Sequence, residues 1–220
     1  MARQARSEAT KQKAIDAAVD LFNEKGYAAT GMGDIVERAQ LTKGALYYHF
    51  DSKEAVAAAI VAKGSADLLA TFLAVCQSST PAIENLIHST FVLADHIAGD
   101  EVARAATRLT HTVGHLGDAV AHANRDWLAA MAAQLTRAAE EGDLRDDVDP
   151  DVAAETIVAT TIGSIFMSDE MSDGADLPMR LLRMWNFLLS AVVSERSLPY
   201  LREFVNREPL RRTNGSMLLR

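Results

Sequence analysis

The chain has 220 residues, 49% of them hydrophobic, with 12 Gly and 5 Pro, which is a globular composition and excludes fibrous and disordered classes. Its net charge of −8 is unevenly distributed, because residues 1–64 hold nine basic and eight acidic residues and residues 65–220 hold 13 basic and 22 acidic residues. A lone cysteine excludes an intramolecular disulfide, the charged start MARQARSEATKQKA lacks the apolar core of a signal peptide, and no uninterrupted apolar run reaches the roughly 18 residues of a membrane helix.

The first predicted elements are three short helices. Alanine is abundant and β-branched runs are rare, so we expect an all-α, cytoplasmic protein without a membrane partner. Apolar residues at helical spacing predict a first helix over about 10–25, ended by Gly26 as a left-handed cap. Thr30 is the expected N-cap of a second short helix, and Thr42 that of a third over 43–49. Two short helices joined by about three residues predict a helix-turn-helix.

Longer helices follow. Asp51 or Ser52 caps a fourth, alanine-rich helix that continues towards Cys76. Prolines in the first turn of three later helices, where the missing N–H costs nothing, mark their starts. The expected later helices span about 81–98, 101–112, 124–141, 151–168 and 178–196. Glycines and polar turn residues predict loops over 112–123 and 169–177.

The stretch TKGALYYH, residues 42–49, carries the chemistry of the third helix. The second helix of a helix-turn-helix inserts its N-terminal end into the major groove of DNA. Lys43 can reach a phosphate or a guanine edge, and Gly44 lets the backbone approach the duplex closely. Tyr47 and Tyr48 offer rings for thymine methyls or sugars and hydroxyls for phosphates. Adjacent polar rings suit a DNA surface better than they suit a core.

Nine residues are the candidate DNA contacts. Thr42, His49 and Lys53 are expected to contact phosphates, and a glycine at 33 costs roughly 1 kcal/mol relative to alanine, which indicates a close backbone approach to DNA or a soft helix end. The alternative for single side chains is burial: Leu46 and Phe50 are expected in the core, and Tyr47 or His49 partly so. The candidates are Thr30, Gly33, Thr42, Lys43, Gly44, Tyr47, Tyr48, His49 and Lys53.

These residues also carry a family resemblance. The order T-x-x-x-x-I-V from Thr30 to Val36, followed by TKGALYYHF and a helix that opens with SKE, resembles the TetR family of bacterial transcriptional repressors over about residues 8–56. The resemblance implies a helix-turn-helix DNA-binding domain over 1–53, a larger helical ligand-binding and dimerisation domain over 54–206, and we expect a flexible tail over 207–220. It further implies a homodimer that leaves a near-palindromic operator when a small molecule binds, with no enzymatic activity and no cofactor.

A second group of residues, on two of the later predicted helices, predicts a binding site for a small effector molecule. Trp127 and Met131 share one helical face, and Thr161 and Ser164 place hydroxyls inside the apolar run IVATTIGSIF. An apolar pocket with a few polar groups suits a small, mostly apolar ligand. The alternative stays open that the Trp–Met pair belongs to the core and that the hydroxyls bond their own helix.

Scattered features resemble one branch of that family, the γ-butyrolactone receptors of actinobacteria. They are the start MARQ, a tryptophan after a Gly/His-rich loop, the DVDPD helix opening, and the dipeptide Met184–Trp185. The resemblance implies that Trp127 stacks on a lactone or butenolide and that Thr161 donates the polar contact; Trp185 is expected in the core or an interface. TetR repressors that sense drugs or lipid-like molecules remain the alternative.

Five of the six histidines lie between His88 and His122, which raises a metal-dependent enzyme as a remote alternative. His111, His115 and His122 would share a face of a continuous helix, but glycines at 114 and 117 argue against one, and there is no HExxH motif. We therefore expect solvated loop histidines and no metal site. The sequence assigns no role to this cluster.

The last predicted helix, 178–196, carries more apolar surface than one neighbouring helix would cover. Together with the helix over 151–168 it is expected to form a four-helix interface between two copies of the chain. The apolar residues on which this rests are Leu181, Leu182, Trp185, Leu188, Leu189, Val192 and Val193.

Overall fold

The computed structural model describes the backbone of residues 2–78, 80–112 and 117–217, and the side chains of residues 4–78, 80–112 and 120–211. Within those ranges the chain forms ten α-helices and no β-strand, which confirms the all-α class. The helices are α1 (Ala2–Lys25), α2 (Met32–Arg38), α3 (Lys43–His49), α4 (Lys53–Cys76), α5 (Ala82–Gly99), α6 (Glu101–Thr112), α7 (Gly117–Glu140), α8 (Pro150–Ser172), α9 (Leu177–Val192) and α10 (Leu198–Met217).

One compact unit comprises Met1–Asp67 and Ile97–Ala123. Helices α1, α2 and α3 pack on one another, and α6 packs on α1. Their apolar faces meet the first half of α4 in a shared core, which includes the fully or almost fully buried side chains of Phe22, Ile35, Leu46, Ile60 and Leu109. The helix-turn-helix is α2 and α3, as predicted.

The N-terminus of α2 differs from the prediction. Its N-cap is Gly31, whose N–H donates to Asp34 Oδ2 at 2.8 Å, and not Thr30. The Thr30 hydroxyl donates instead to the carbonyl of Gly26, at 2.9 Å, and the side chain is buried. Gly26 itself has φ of +84° and ends α1 in the left-handed conformation that its position in the sequence predicts.

The second compact unit comprises Leu68–His96 and Asn124–Arg220. Helix α9 packs between α8 and α10. Helix α8 starts where DVDPD predicts, because the Asp149 carboxylate accepts the N–H of Asp151 at 2.8 Å and Pro150 occupies the first turn. Trp185 is fully buried and its indole N–H donates to Thr90 Oγ1 at 2.9 Å, so this tryptophan is a core residue.

Several expectations about element bounds differ from the structure. The first helix, predicted over about 10–25, already begins at Ala2. The loop predicted over 112–123 is shorter, since α7 already begins at Gly117, and residues 113–116 lie outside the described part of the chain. The loop predicted over 169–177 is only a short turn, because α8 continues to Ser172. Helix α10 was not predicted, and the buried Glu208 within it shows that a tail beginning at 207 starts too early. The functional boundaries at 53 and 206 stay predictions.

Among the described helices, α4 is long and apolar enough to cross a membrane by length and composition alone. The core helix of a soluble protein passes the same test. Val56, Ile60 and Phe72 of α4 are fully buried, and the helix also carries the charged residues Lys63 and Asp67. One side of α4 therefore packs in the protein core.

Candidate DNA-binding surface and effector site

Helix α3 is fixed by its buried side. Leu46 is fully buried and Phe50 almost so, both in the core of the first unit. Thr42 caps the helix by accepting the N–H of Ala45 at 3.2 Å, and a φ of +53° at Gln40 turns the chain between α2 and α3. These contacts leave the remaining face of α3 open to solvent.

That open face carries the aromatic pair of the sequence motif. Tyr48 is 77% exposed and Tyr47 is 52% exposed, values far above those of a core aromatic. Lys43 is exposed one turn away on the same short helix. The partly buried ring of His49 lies 5.0 Å from the ring of Tyr48, edge to face, a geometry that helps to orient Tyr48.

Both glycines of the predicted interface leave room for a close partner. A Cβ built on Gly33 or on Gly44 would meet no atom within 4 Å, and both residues are exposed. The absence of a side chain at these positions is therefore not required by packing within the described residues. It removes bulk only towards the outside, where a duplex would approach.

Besides Thr42, whose hydroxyl oxygen caps α3, two of the nine predicted contacts are used inside the protein. Thr30 is 2% exposed and its hydroxyl donates a hydrogen bond to the carbonyl of Gly26. The prediction that Thr30 contacts DNA therefore does not fit its position. Lys53 donates to the carbonyls of Tyr27, at 2.9 Å, and Thr30, at 2.8 Å. Its ammonium also lies 4.1 Å from the centre of the Tyr27 ring. Lys53 therefore ties the segment before α2 to the start of α4.

Ion pairs hold α2 against α1. Arg38 donates to both carboxylate oxygens of Glu24, at 2.9 and 2.7 Å, and this hydrogen bonding lowers the pKa of Glu24. Lys25 bonds Asp34 at 2.9 Å. The cations in these pairs are neutralised by their partners, so the charge that can face phosphate comes from residues such as Lys43.

The predicted effector residues lie in the second unit. Trp127 of α7 is half-buried, and its ring meets that of Phe72 edge to face at 5.3 Å. Met131, one turn further on, is 3% exposed. The aromatic contact fixes the plane of the indole while part of its surface stays uncovered. The burial of Met131 fits the alternative that it belongs to the core, and the ligand-binding role of Trp127 stays a prediction.

The hydroxyl groups of Thr161 and Ser164 on α8 both already donate hydrogen bonds within the protein. Ser164 donates to the carbonyl of Thr160 at 2.8 Å, which is the self-bonding that the alternative interpretation describes. Thr161 donates to Met184 Sδ at 3.7 Å, a weak bond that a better acceptor can replace. Thr161 is therefore the more available polar group of the two.

Among the residues that the structure describes, the remaining reactive groups do not assemble a catalytic site. Burial raises the pKa of the Cys76 thiol to about 11, so the thiol is protonated at neutral pH. No three His, Cys, Asp or Glu side chains come together as metal ligands among the described residues, and His115 lies outside them. His88 instead bonds Glu208 at 3.0 Å, and His96 bonds Thr71 at 3.0 Å.

The predicted dimer surface on α9 needs correction. Leu181, Trp185 and Leu189 are buried within the unit itself, as are Leu188, Val192 and Val193. A different set of apolar side chains on α8 and α9 is exposed, and we call it the α8/α9 apolar face: Val152, Phe166, Met167, Met171, Met179 and Phe187. Phe187 is 81% exposed, which is unusual for a phenylalanine and makes this face the candidate surface for a partner.

Comparison with known proteins agrees with this geometry. Residues 14–60 match the family model of the bacterial regulatory proteins of the tetR family, and residues 80–194 match that of the tetracyclin repressor-like C-terminal domain. Over 192 residues the chain is 35% identical to the A-factor receptor protein of Streptomyces griseus, covering 87% of this chain and 67% of that one.

Solved structures are similar over most of the chain. A γ-butyrolactone receptor described as ArpA-like matches at 28% identity and a TM-score of 0.73, over 94% of this chain and 99% of that one. CprB from Streptomyces coelicolor, solved with its biological operator sequence, matches at 30% identity and a TM-score of 0.70, over 92% and 97%. A complex of SmeT with triclosan matches at 27% identity and a TM-score of 0.72, over 85% and 93%. The chain therefore belongs to the TetR family of bacterial transcriptional regulators, which are not enzymes, and within that family it lies close to the γ-butyrolactone receptors.

Proposed function

We propose that this regulator is a repressor released from a near-palindromic operator by a γ-butyrolactone or a butenolide. The observation that carries the DNA-binding part is the exposed aromatic face of α3, with Tyr48 77% exposed beside Lys43. The effector class is supported by the 35% identity to the A-factor receptor protein and by the half-buried Trp127. A soluble DNA-binding protein of this kind acts in the cytoplasm.

On the DNA, α3 enters the major groove with Lys43, Gly44, Tyr47 and Tyr48 towards the duplex. TetR regulators bind operator DNA as homodimers and respond to small molecules. Two copies of α3 then occupy half-sites about one helical turn, roughly 34 Å, apart or a little more. We assign DNA contact to residues 1–53 and effector binding and dimerisation to residues 54–206.

The dimer forms through the α8/α9 apolar face. Two helices from each copy make a four-helix arrangement that removes Phe187 and its neighbours from water. Burying apolar side chains of this size stabilises association by roughly 1.5–3 kcal/mol each when the burial is complete. A closed two-fold interface of this type also matches the symmetry of a palindromic operator.

The effector acts by binding the released form more tightly than the DNA-bound form. To move the population from about 1:99 to 99:1 it must prefer the released form by roughly 10⁴-fold, or about 5.5 kcal/mol. The lactone ring lies on the free surface of Trp127, and Thr161 exchanges its weak bond to Met184 for a bond to a lactone oxygen.

A second candidate is a repressor that senses a drug or a lipid-like molecule. The similarity to SmeT, which was solved with triclosan, favours it at 27% identity. The two candidates make the same demand on α3 and differ only in the ligand. A panel that contains γ-butyrolactones, butenolides and triclosan therefore separates them in one assay.

The experiment uses the two tryptophans of the chain. Trp185→Phe leaves Trp127 as the emitter, and Trp127→Phe leaves the buried Trp185 as a matched control. We expect a γ-butyrolactone to quench the fluorescence of Trp185→Phe and to leave that of Trp127→Phe almost unchanged. Equal responses of the two variants would remove Trp127 from the effector site.

A further inference from the structure

Helices α8 and α9 carry opposite charges. Within α8 every charged residue is acidic, and within α9 every charged residue is basic. The acidic residues are Asp151, Glu155, Asp169 and Glu170, and the basic residues are Arg180 and Arg183. The same two helices carry the α8/α9 apolar face, so the segregated charges lie beside the surface that is exposed for a partner.

The two arginines of α9 are in different environments. The side chain of Arg180 is only 15% exposed and bonds the carboxylate of Asp176 at 2.8 Å, which neutralises it within the chain. Arg183 is exposed, and its side chain has no hydrogen bond and no ion pair to any residue that the structure describes. It lies one turn after Met179 and one turn before Phe187, in the middle of the exposed stripe of α9. A cation at this place in an interface needs a carboxylate from the second copy, since an unpaired charge is costly to remove from water.

Glu170 is the carboxylate of α8 that fits this requirement. Its side chain is exposed and, like that of Arg183, has no partner among the described residues. Glu170 lies two residues before the end of α8 and Arg183 six residues after the start of α9, so they are about 3 and 9 Å from the corner between the helices. A long arginine side chain spans the difference of about 6 Å when α9 packs beside α8 of a second copy with both corners at the same end. Glu155 is about 25 Å from that corner, out of reach, and Asp169 is partly buried and already interacts within the chain.

We propose that Arg183 pairs with Glu170 of the second copy, so that α9 of one copy lies against α8 of the other. The proposal rests on the proposed dimer interface at the α8/α9 apolar face. The two-fold axis makes the contact twice. Packing of α9 against α9 would instead place a basic helix on a basic helix, and like charges in contact oppose association.

The consequence is selectivity for identical copies. The apolar side chains of the face fit many apolar partners, whereas the charges of Arg183 and Glu170 fit only a chain that carries the same pattern on its last helices. A related regulator with a different charge pattern there leaves both groups unpaired or faces them with like charge. The ion pair therefore keeps mixed dimers from forming.

Charge reversal tests the pair. Arg183→Glu and Glu170→Arg each replace two attractions in the dimer by two repulsions, and each should weaken the dimer at least about tenfold in sedimentation velocity over a dilution series. The double variant, with both changes in one chain, restores the pair with its signs exchanged and should dimerise within about threefold of wild type. Arg207→Glu, changed at an exposed arginine of α10 outside the face, is the matched control and should dimerise like wild type.

Mixing the two single variants gives a readout that loss of folding would not produce. A dimer of one Arg183→Glu copy and one Glu170→Arg copy holds two attractive pairs, whereas each homodimer holds two repulsive pairs. Native mass spectrometry of the equilibrated mixture should therefore find mostly mixed dimers, well above the half that random exchange gives.

The inference is overturned if Arg183→Glu dimerises like wild type, if the double variant stays as weak as the single variants, or if Glu155→Arg rescues Arg183→Glu in place of Glu170→Arg. The proposed interface has a separate test, because a Phe187→Glu protein that stays dimeric would overturn the interface itself. If Phe187→Glu is monomeric while Arg183→Glu stays dimeric, the interface stands and only the ion pair fails.

Discussion

Two lysines that flank the same motif have different roles. Lys43 is exposed on α3, where its charge is free to contact a phosphate. Lys53 lies ten residues later, and its ammonium group donates hydrogen bonds to the carbonyls of Tyr27 and Thr30. The sequence motif gives both the same role, because it records only that a cation lies near the aromatic pair in the chain. The hydrogen-bond partners separate them.

Substituting each lysine by methionine tests this difference. Lys43→Met should weaken operator binding, reduce the slope of log affinity against log salt by about 1, and leave the melting temperature unchanged. Lys53→Met should lower the free energy of unfolding by about 1–3 kcal/mol, since two carbonyls lose a charged donor. Thermal melts and DNA titrations at several salt concentrations measure both. If Lys53→Met keeps the melting temperature of wild type and reduces the slope of log affinity against log salt, Lys53 contacts a phosphate and the structural role is wrong.

At the scale of elements, local sequence signals predict where a helix begins, whereas contacts between helices determine which of its side chains are buried. Helices α3 and α8 begin where the sequence predicts, because Thr42 and Asp149 cap them with their own side chains. Helix α10 escaped prediction because its buried stripe, Leu201, Val205 and Glu208, contains a carboxylate.

Glu208 can be buried because Arg211 donates to its Oε1 at 3.0 Å and His88, which lies 120 residues earlier in the chain, bonds its Oε2 at 3.0 Å. The contact with His88 is not visible in the local sequence. The same limit explains the misplaced dimer surface, since an amphipathic pattern on α9 cannot show that α8 and α10 already cover most of its apolar side. The motif on α3 could be predicted from the sequence because Tyr47 and Tyr48 lie together on one short helix, and their exposure follows from their positions on that helix. The roles of Thr30 and Lys53 depend on carbonyls that only the fold brings near.

The close contact of α4 and α6 in the first unit gives an element-scale prediction. A Cβ on Gly64 would lie 2.4 Å from Ala106 Cβ and 3.1 Å from the carbonyl oxygen of Val102. Gly64→Ala must push the two helices apart, and overpacking of this kind costs about 1–3 kcal/mol. We expect a lower melting temperature in calorimetry.

The matched control is Gly33→Ala, where the added methyl meets no atom within 4 Å. Since alanine is the better helix former, this variant should melt at or slightly above the temperature of wild type. A Gly64→Ala protein that melts like the control would mean that α4 and α6 have room to adjust without cost.

At the scale of the whole molecule, binding to a palindromic operator requires two copies of the chain. The α8/α9 apolar face carries Phe187, the most exposed of the large apolar side chains described. We expect Phe187→Glu to place a charge in the interface and to give a monomer in light scattering at micromolar concentration. Operator affinity should fall by roughly 10²–10⁴-fold, since linked half-site binding is lost.

Leu210→Glu provides the comparison, because Leu210 is 62% exposed on α10, outside that face. It should remain a dimer with the operator affinity of wild type. A dimeric Phe187→Glu protein together with a monomeric Leu210→Glu protein would move the interface to α10.

The central claim is that the exposed face of α3 reads the operator. Titration of a duplex from the region upstream of the protein's own gene, followed by fluorescence anisotropy, tests it most directly with wild type, Tyr48→Ala and the control Tyr200→Ala, which changes an exposed tyrosine of α10. We predict that Tyr48→Ala binds about tenfold to hundredfold more weakly than wild type at equal helix content, and that Tyr200→Ala binds like wild type. Equal affinities for all three proteins would contradict the account.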